Sequence, residues 1–300
     1  MKSGFLVVDK PAGFTSHDIV AIARKSLGER RVGHAGTLDP FATGVLVLGV
    51  GHGTRLLQYI TDGKKSYQAI IRLGSATTTD DLTGECISEN HSGLASISDS
   101  MIQAKLKDKV GDIYQRPSMY SAIKVSGKRA YELARAGEEV QLKERKVTIH
   151  SLQVGEITRS ESSIDIAITV ECSAGTYIRS IARDLGDELG VGGHLVALRR
   201  TRVDPYSLQE AISLAMLREK PQLHSIDSAI SGIFPRRELT LEEVASVSHG
   251  RSITLAGERD SQCAAFTPTG RFLALLAEKS GRAQPILVIN RESESIEDGK

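Results

Sequence analysis

An α+β fold is predicted for this chain: a mixed, largely antiparallel sheet flanked by helices, followed by a small β-rich module. Three observations predict it. Strands and helices are interspersed without a regular strand–helix–strand rhythm and without phosphate loops, which disfavours a doubly wound parallel sheet. Ile164, Ile166, Ile168 and Val170 alternate with Asp165, Ala167, Thr169 and Glu171, the pattern of a strand with one buried face. From Phe234 the texture changes to short strands punctuated by Gly250, Gly257, Gly270 and Gly281, within fewer than sixty residues.

The elements follow in order. Phe5 to Val8 is a short apolar run, broken by Lys10-Pro11-Ala12-Gly13. Ser16 is then placed as the N-cap of a helix, with Asp18 in its electropositive first turn, Ile19, Ile22 and Ala23 at helical spacing, and Gly28 as its stop. A glycine-punctuated loop from Gly33 to Pro40 leads to Val45-Leu46-Val47-Leu48, a buried-strand signature. Tyr67 to Leu73 reads as another strand. Residues 99–110 read as a helix with Met101, Leu106 and Val110 facing the core. Residues 120–146 carry seven Lys/Arg against four Glu, with Gly127 and Gly137 interrupting, and read as an exposed basic excursion. Strand character resumes at Val147. After Gly175 a helix carries Ile178, Ile181, Ala182, Leu185 and Leu189 on one stripe. Residues 207–230 read as a helical connector, and the acidic tail from Arg291 as frayed.

Composition narrows the function classes. The chain has 300 residues, 40% hydrophobic and 25% charged, which excludes wholesale disorder. No apolar run reaches the length of a membrane span, and the first strand is too short for a signal peptide. Cys86, Cys172 and Cys263 lie far apart without a CxxC pair, so a zinc ribbon or disulfide framework is excluded and a cytoplasmic setting is expected. With 38 Lys+Arg against 37 Asp+Glu, bulk charge announces no polyanion; a nucleic-acid site needs local segregation of charge.

Two familiar motifs fail. In Gly49-Val50-Gly51-His52-Gly53-Thr54 the third glycine falls one position early for a dinucleotide loop, and no acidic residue follows at the right remove. The eight histidines form no HxxxH or HExxH pair, so no metal or cofactor is expected. The loop at 33–40 carries more. Pro40 keeps Asp39 extended, and Gly33, Gly36 and Gly44 permit close backbone approach by a bulky ligand. A carboxylate held there suits a nucleophile or a base, although Asp-Pro alone usually marks a turn. Arg179 opens a helix and points away from its apolar stripe; it is either a surface arginine or the partner that keeps a buried carboxylate ionised. Tyr67, after Lys64-Lys65-Ser66, is either a core tyrosine or a surface on which a base stacks while lysines meet phosphate.

Taken together, Lys10-Pro-Ala-Gly-Phe-Thr-Ser16, Gly33-His-Ala-Gly-Thr-Leu-Asp-Pro-Phe-Ala-Thr-Gly44, Lys64-x-x-Tyr67, Tyr120-Ser-Ala-Ile-Lys124, Gly175-Thr-Tyr-Ile-Arg179 and Leu198-Arg199-Arg200-Thr201 resemble the TruB family, the bacterial tRNA pseudouridine-55 synthases. The resemblance is dense over about residues 4–206. It implies a catalytic domain at 1–232 with an RNA-clamping insertion at about 115–146, a PUA-like RNA-binding domain at 233–291 and a flexible tail at 292–300. It further implies Asp39 as the catalytic aspartate acting on C1′ of the target uridine. Tyr67 is the tyrosine that packs on the flipped base and serves proton removal, and Arg179 the partner of the aspartate. Tyr177 and Leu198 form active-site walls, and His34 fills the gap left in the T-loop stack. Lys10, Lys64, Lys124, Arg199 and Arg200 join the substrate-binding set, with Lys65 and Arg202 on the same basic surface. The expected partner is the tRNA T-arm, with no guide RNA, protein partner or membrane, and the expected state is a monomer. Gln115-Arg116-Pro117-Ser118-Met119 departs from the Pro-Pro that members often show there.

Two other classes compete. A non-catalytic tRNA-binding protein has no need of Asp39, Tyr67 and Arg179 together. A guide-RNA-dependent relative is disfavoured by the 115–146 insertion and the compact tail. The C-terminal module is expected to fold separately and to be dispensable for chemistry; the opposing reading is that it covers apolar surface of the larger domain.

Overall fold

The computed structural model describes residues 2–120, 142–219, 221–257 and 262–289, with the backbone alone of Lys124–Val125 and Lys128–Arg129. Most of the 115–146 insertion and the 292–300 tail therefore lie outside the described residues.

The chain enters as β1 (Gly4–Lys10), turns, and forms α1 (Ser16–Leu27). Thr15 caps this helix, not Ser16: the Thr15 hydroxyl accepts from Asp18 N and the Asp18 carboxylate accepts from Thr15 N, a reciprocal capping box. Ser16 is instead the first helical residue, buried, with a task described below. After β2 (Val32–His34), the glycine loop leads into β3 (Thr43–Val50), whose near-continuous apolar sequence is buried along its length. A short helix, α2 (Leu57–Thr61), precedes β4 (Lys65–Leu73), which buries Lys65, Tyr67, Ala69, Ile71 and Leu73 and turns Gln68 and Ile70 outward. The hairpin β5 (Ser75–Thr77) and β6 (Cys86–Glu89) follows, then α3 (Asp99–Lys107), capped by Ser98. Here the buried residues are Ile102 and Leu106; Met101 and Val110 are exposed, because the helix ends at Lys107 and its inward stripe runs through Ile102.

Beyond β7 (Gly111–Gln115), the two-residue strands β8 (Lys124–Val125) and β9 (Lys128–Arg129) pair antiparallel within the insertion. Strand β10 (Arg145–Arg159) then runs antiparallel to both β7 and β11 (Ile164–Cys172), and the alternation from Ile164 to Cys172 is buried on one face as its period requires. Helix α4 (Ile178–Leu189) packs on that face and hands the chain to β12 (Gly193–Val203) through Gly190 in the left-handed conformation, φ 71°. The crossing is close: a Cβ on Gly186 would stand 2.1 Å from Gly193 N. The order β1-β3-β12-β4-β11-β10-β7 is antiparallel except where β12 meets β3, with β2 and β13 (Tyr206–Ser207) paired at the side. The site forms around this parallel junction.

The connector is less helical than expected, with the short helices α5 (Leu214–Glu219) and α6 (Ile226–Ser231) separated by extended chain that pairs with β1 through Phe5 and His224. A second five-stranded sheet then forms from β14 (Arg236–Glu238), β15 (Ile253–Thr254), β16 (Gln262–Phe266), β17 (Phe272–Lys279) and β18 (Arg282–Val288), in the order β14-β16-β17-β18-β15. Its core is not wholly its own. Phe5, Val7, Leu56, Ile60, Ile226 and Ile230 of the larger part share one buried cluster with Phe266, Phe272 and Leu275. Asp227 Oδ1 accepts from Phe272 N at 2.7 Å, and Arg55 donates to Val288 O at 2.7 Å. The module covers apolar surface, so removing it exposes that surface to water. A chain ending at Gly232 is expected to aggregate or to melt well below the full chain, at about 2–4 °C per kcal/mol of lost burial. Light scattering and a thermal melt check this; a soluble truncation with an unshifted midpoint would show the shared cluster to be expendable.

Candidate active site

Asp39 sits between two anchored neighbours. Leu38 N donates to Ser16 Oγ at 2.9 Å, and the same hydroxyl donates to Leu38 O. On the other side, Pro40 O accepts from Gly13 N at 2.8 Å and from the Lys10 ammonium at 3.2 Å. The first turn of α1 and the end of β1 thus hold the loop from both directions, which explains why Ser16 is buried. The Lys10 ammonium also donates to Pro11 O and Phe14 O, and the residue has no exposed surface. This corrects its placement in the substrate-binding set: a lysine enclosed by three carbonyls cannot meet a phosphate. Burial pushes its pKa down to about 8, opposed by Asp39.

Arg179 reaches Asp39 from the first turn of α4. Its Nε lies 3.0 Å from Asp39 Oδ2 and its Nη2 3.2 Å from Oδ1, a two-pronged pair that fixes the carboxylate plane. The arginine points away from the apolar stripe, yet it is buried, because the other side of the first turn is roofed by residues 79–81 and 118–120. It donates to Thr79 O at 2.8 Å, Tyr120 O at 2.9 Å and Ser118 Oγ at 3.2 Å, and pairs with Asp81 Oδ2 at 3.5 Å. Asp81 was not found by sequence reasoning. Its Oδ1 accepts from Thr79 Oγ1, Thr83 N and Thr83 Oγ1, so a threonine-rich turn holds it against the guanidinium. The run Thr77-Thr78-Thr79-Asp80-Asp81-Leu82-Thr83-Gly84 has no helical or strand period, and an acidic turn there reads as solvated surface.

Gln115 was also missed. Its amide grips the Tyr177 backbone in both directions, accepting from Tyr177 N at 2.8 Å and donating to Tyr177 O at 3.0 Å. Arg116 O accepts from Ser180 Oγ and Arg183. The Gln115-Arg116-Pro117 departure is therefore pinned to the start of α4.

Asp39, Tyr67, Tyr177, Arg179, Leu198 and Arg200 line one cavity of about 280 Å³, together with Lys65 and Tyr120. A larger cavity of about 830 Å³ adjoins it, sharing Thr37, Leu38, Asp39, Tyr120 and Arg179 and reaching His17 and the turn at 78–85. His34 stands outside both, with His17 edge-on to its ring at 5.4 Å between centroids. Burial lowers the His34 pKa, with His17 and Arg200 adding to it. Lys64 is exposed and lies 3.5 Å from Glu171. Arg199 pairs with Asp9 at 2.7 Å and borders a groove on the outer sheet face, away from Asp39. Arg200 corrects the expectation of a phosphate-facing arginine: successive residues of β12 face opposite ways, and Arg200 is the one turned inward, 1% exposed. Lys65 is likewise buried, its ammonium on Thr61 O and Gly63 O and its pKa pushed down to about 8 by burial. The side chain of Lys124 lies outside the described residues.

Electrostatics sets the working state of Asp39. Burial pushes its pKa above the ordinary carboxylate value; Arg179 opposes the rise, Asp81 adds to it, and Arg200 and Lys10 oppose it further. Burial raises the pKa of the Tyr67 phenol as well, which favours its protonated form. Among the described residues no cluster of three His, Cys, Asp or Glu side chains could hold a metal ion, and no helix is long and apolar enough to cross a membrane. What the cavity offers is a desolvated, oriented carboxylate facing a phenol across a space sized for one small ring.

Comparison with known proteins gives three profile matches in register with these elements. The profile described as TruB family pseudouridylate synthase (N terminal domain) matches residues 24–178. Those described as tRNA pseudouridylate synthase B C-terminal domain and tRNA Pseudouridine synthase II, C terminal, match 179–230 and 234–290. The protein named tRNA pseudouridine synthase B from Arthrobacter sp. (strain FB24) is 48% identical, covering 98% of this chain and 99% of its own. Its namesake from Thermobifida fusca (strain YX) is 48% identical over 96% and 99%. Among solved structures, a chain of a Cbf5-Nop10-Gar1 complex superposes with TM-score 0.69 at 26% identity, over 96% of this chain and 84% of that one. A chain from an H/ACA RNP bound to a substrate RNA gives 0.70 at 24% identity, over 96% and 86%, a likeness of fold.

If Asp39 must be ionised to react, activity falls as pH drops through its raised pKa, so the acid limb of the rate profile lies above the ordinary carboxylate range. Asp81→Asn removes the like charge that adds to that rise and one support of Arg179. The limb is expected to move to lower pH while the plateau rate falls about tenfold or more. Single-turnover rates against pH check both; a limb moving upward would contradict the assigned role of Asp81.

Proposed function

The chain belongs to the TruB family of pseudouridylate synthases, and from that premise we propose that Asp39, Tyr67 and Arg179 carry the isomerisation of uridine 55 in the tRNA T-loop. The chain is a tRNA pseudouridine synthase: it converts a uridine of tRNA to pseudouridine. The observation that carries the site assignment is the two-pronged Arg179–Asp39 pair inside a cavity sized for one base.

The reaction breaks the C1′–N1 bond, turns the uracil and forms C1′–C5, with no net oxidation. The target base leaves its stack to enter the cavity, at a cost of a few kcal/mol. His34, on the loop that also bears Asp39, fills the gap and recovers part of that cost. The Asp39 carboxylate attacks C1′, or stabilises the cation developing there, and holds the sugar while the uracil rotates. Arg179 keeps Asp39 ionised and aimed. As C5 joins C1′, any bond from C1′ to Asp39 breaks and the carboxylate is freed; the proton on C5 then leaves while N1 takes one up, and the Tyr67 hydroxyl, which lines the same cavity, relays the proton. Tyr177 and Leu198 wall the base. Affinity for the T-arm comes from Lys64, Arg202 and the basic insertion at 115–146, including Lys124, rather than from Lys10 or Arg200. The enzyme acts on tRNA alone as a monomer, without guide RNA. The C-terminal β module adds RNA contact while completing the shared core.

Asp39→Asn is expected to bind tRNA and to release no tritium from 5-tritiated uridine in transcript tRNA; activity within about tenfold of wild type would overturn the assignment. Its fold should persist. Because the folded-state pKa of Asp39 is raised, the ionised carboxylate costs stability at neutral pH, and that cost disappears as pH falls through the raised pKa. The amide carries no such cost, so the melting midpoint at neutral pH should not drop. Lys64→Ala, by contrast, is expected to leave the rate at saturating tRNA intact and to lower the salt-dependence slope of binding by about one unit or less.

A further inference from the structure

Arg200 lies on the inward face of β12 and lines the cavity together with Arg179. Its Nε donates to Val45 O at 2.7 Å, Nη1 to Thr37 O at 3.3 Å and Nη2 to Gly36 O at 3.2 Å. It lines the same cavity as Tyr67, and its positive charge opposes the rise of the phenol's pKa. The carbonyls of Gly36 and Thr37 belong to the segment that delivers Asp39, two residues further on. Tyr67 stands directly across the antiparallel β4–β12 pair, with its Cα partnered to that of Arg200. The junction is built for contact: Gly44 is paired with Arg200 in the parallel register, φ 104°, and a Cβ there would lie 2.1 Å from Arg200 O. One buried guanidinium is therefore bonded to the backbone of the Asp39 loop and set on the same face of the sheet as its cross-strand partner Tyr67.

We infer that Arg200 is a positioning residue for the isomerisation, a clamp that fixes the Tyr67 hydroxyl relative to the loop bearing Asp39. The inference rests on the assignment of Asp39 and Tyr67 as reacting groups. A guanidinium suits the task where an ammonium does not, because its planar fork serves several acceptors at fixed angles while staying charged when buried. Lysines near the cavity illustrate the difference: Lys10 and Lys65 each lose basicity on burial. A simpler role, neutralising phosphate, is closed to a side chain with 1% exposure.

The test is Arg200→Lys in the full chain, alone and in a Tyr67→Phe background, measured by single-turnover pseudouridine formation and by tRNA binding across salt. Arg200→Lys is expected to fold, to bind tRNA with unchanged salt slope, and to lose about tenfold or more in rate at saturating tRNA. In the Tyr67→Phe background the same change is expected to cost several-fold less, because the hydroxyl it acts through is gone. A role confined to supporting the fold would give equal losses in both backgrounds, and that additivity would overturn the inference. So would a single-mutant rate near wild type, or a loss confined to affinity with a salt slope shallower by about one unit. Should Tyr67→Phe leave no measurable rate, the split between rate and affinity in Arg200→Lys decides alone. Wild-type protein in the same assay separates the two levels: an inactive wild type strikes the site assignment itself, whereas an active wild type with an unimpaired Arg200→Lys strikes only the clamp.

Discussion

The structure depends on keeping one carboxylate ionised in a place that water barely reaches. Asp39 keeps 29% of its side chain open and lines both adjoining cavities. An isolated carboxylate in such a place takes up a proton, and a protonated one neither attacks C1′ nor stabilises a cation. Arg179 opposes this from 140 residues away in sequence. That one requirement ties the loop after β2 to the first turn of α4, and α4 in turn must be held against β4, β11 and β12. The core of Ile71, Ile166, Ile168, Ile181 and Leu185 is the scaffold that fixes the distance between the two charges.

A buried arginine creates its own demand, since every N–H left without a partner costs free energy. Arg179 meets it with Asp39, Asp81, Ser118 and the carbonyls of Thr79 and Tyr120. Arg200 meets it with the carbonyls of Gly36, Thr37 and Val45. Apart from Val45 in β3, the backbone acceptors come from irregular segments, which is where carbonyls are left over from sheet and helix ladders. Irregular loops around the cavity are thus a consequence of the chemistry: regular strands would have used their carbonyls on each other.

How much of this was legible in the sequence follows from the same physics. Strands with one apolar face, such as Ile164 to Val170, and the stripe of α4 were readable because burial imposes a period. Asp39, Tyr67 and Arg179 were readable as a set because each belongs to a distinctive local motif. Asp81 and Gln115 were not, since each acts through a contact with α4 that no local pattern encodes. Lys10 and Arg200 turn inward where a surface position was expected, for a related reason: positive charge suggests phosphate contact until the fold shows which way the side chain turns. Ser16 gave way to Thr15 as the cap because two hydroxyl residues stand side by side, and only tertiary contact with Leu38 distinguishes their tasks. The shared apolar cluster beneath the C-terminal sheet was invisible because Phe266 and Phe272 satisfy either a private core or a joint one.

The arrangement of charge also bears on the step after C1′ is attacked. On the proposed route in which Asp39 attacks C1′, breaking C1′–N1 with both electrons leaving on the uracil gives an anion inside the cavity as Asp39 becomes neutral by forming its bond. The walls already hold Arg179, Arg200 and Lys65, and these cations are not made for the purpose at that moment; they are fixed by carbonyls before substrate arrives. Fixed donors need no reorganisation as the charge moves from carboxylate to base, which is the property that separates such a cavity from water. On that route, the same positive surroundings that oppose the rise of the Asp39 pKa in the free enzyme also serve the detached uracil. A single electrostatic field suits both states because the negative charge travels only the width of one ribose–base bond.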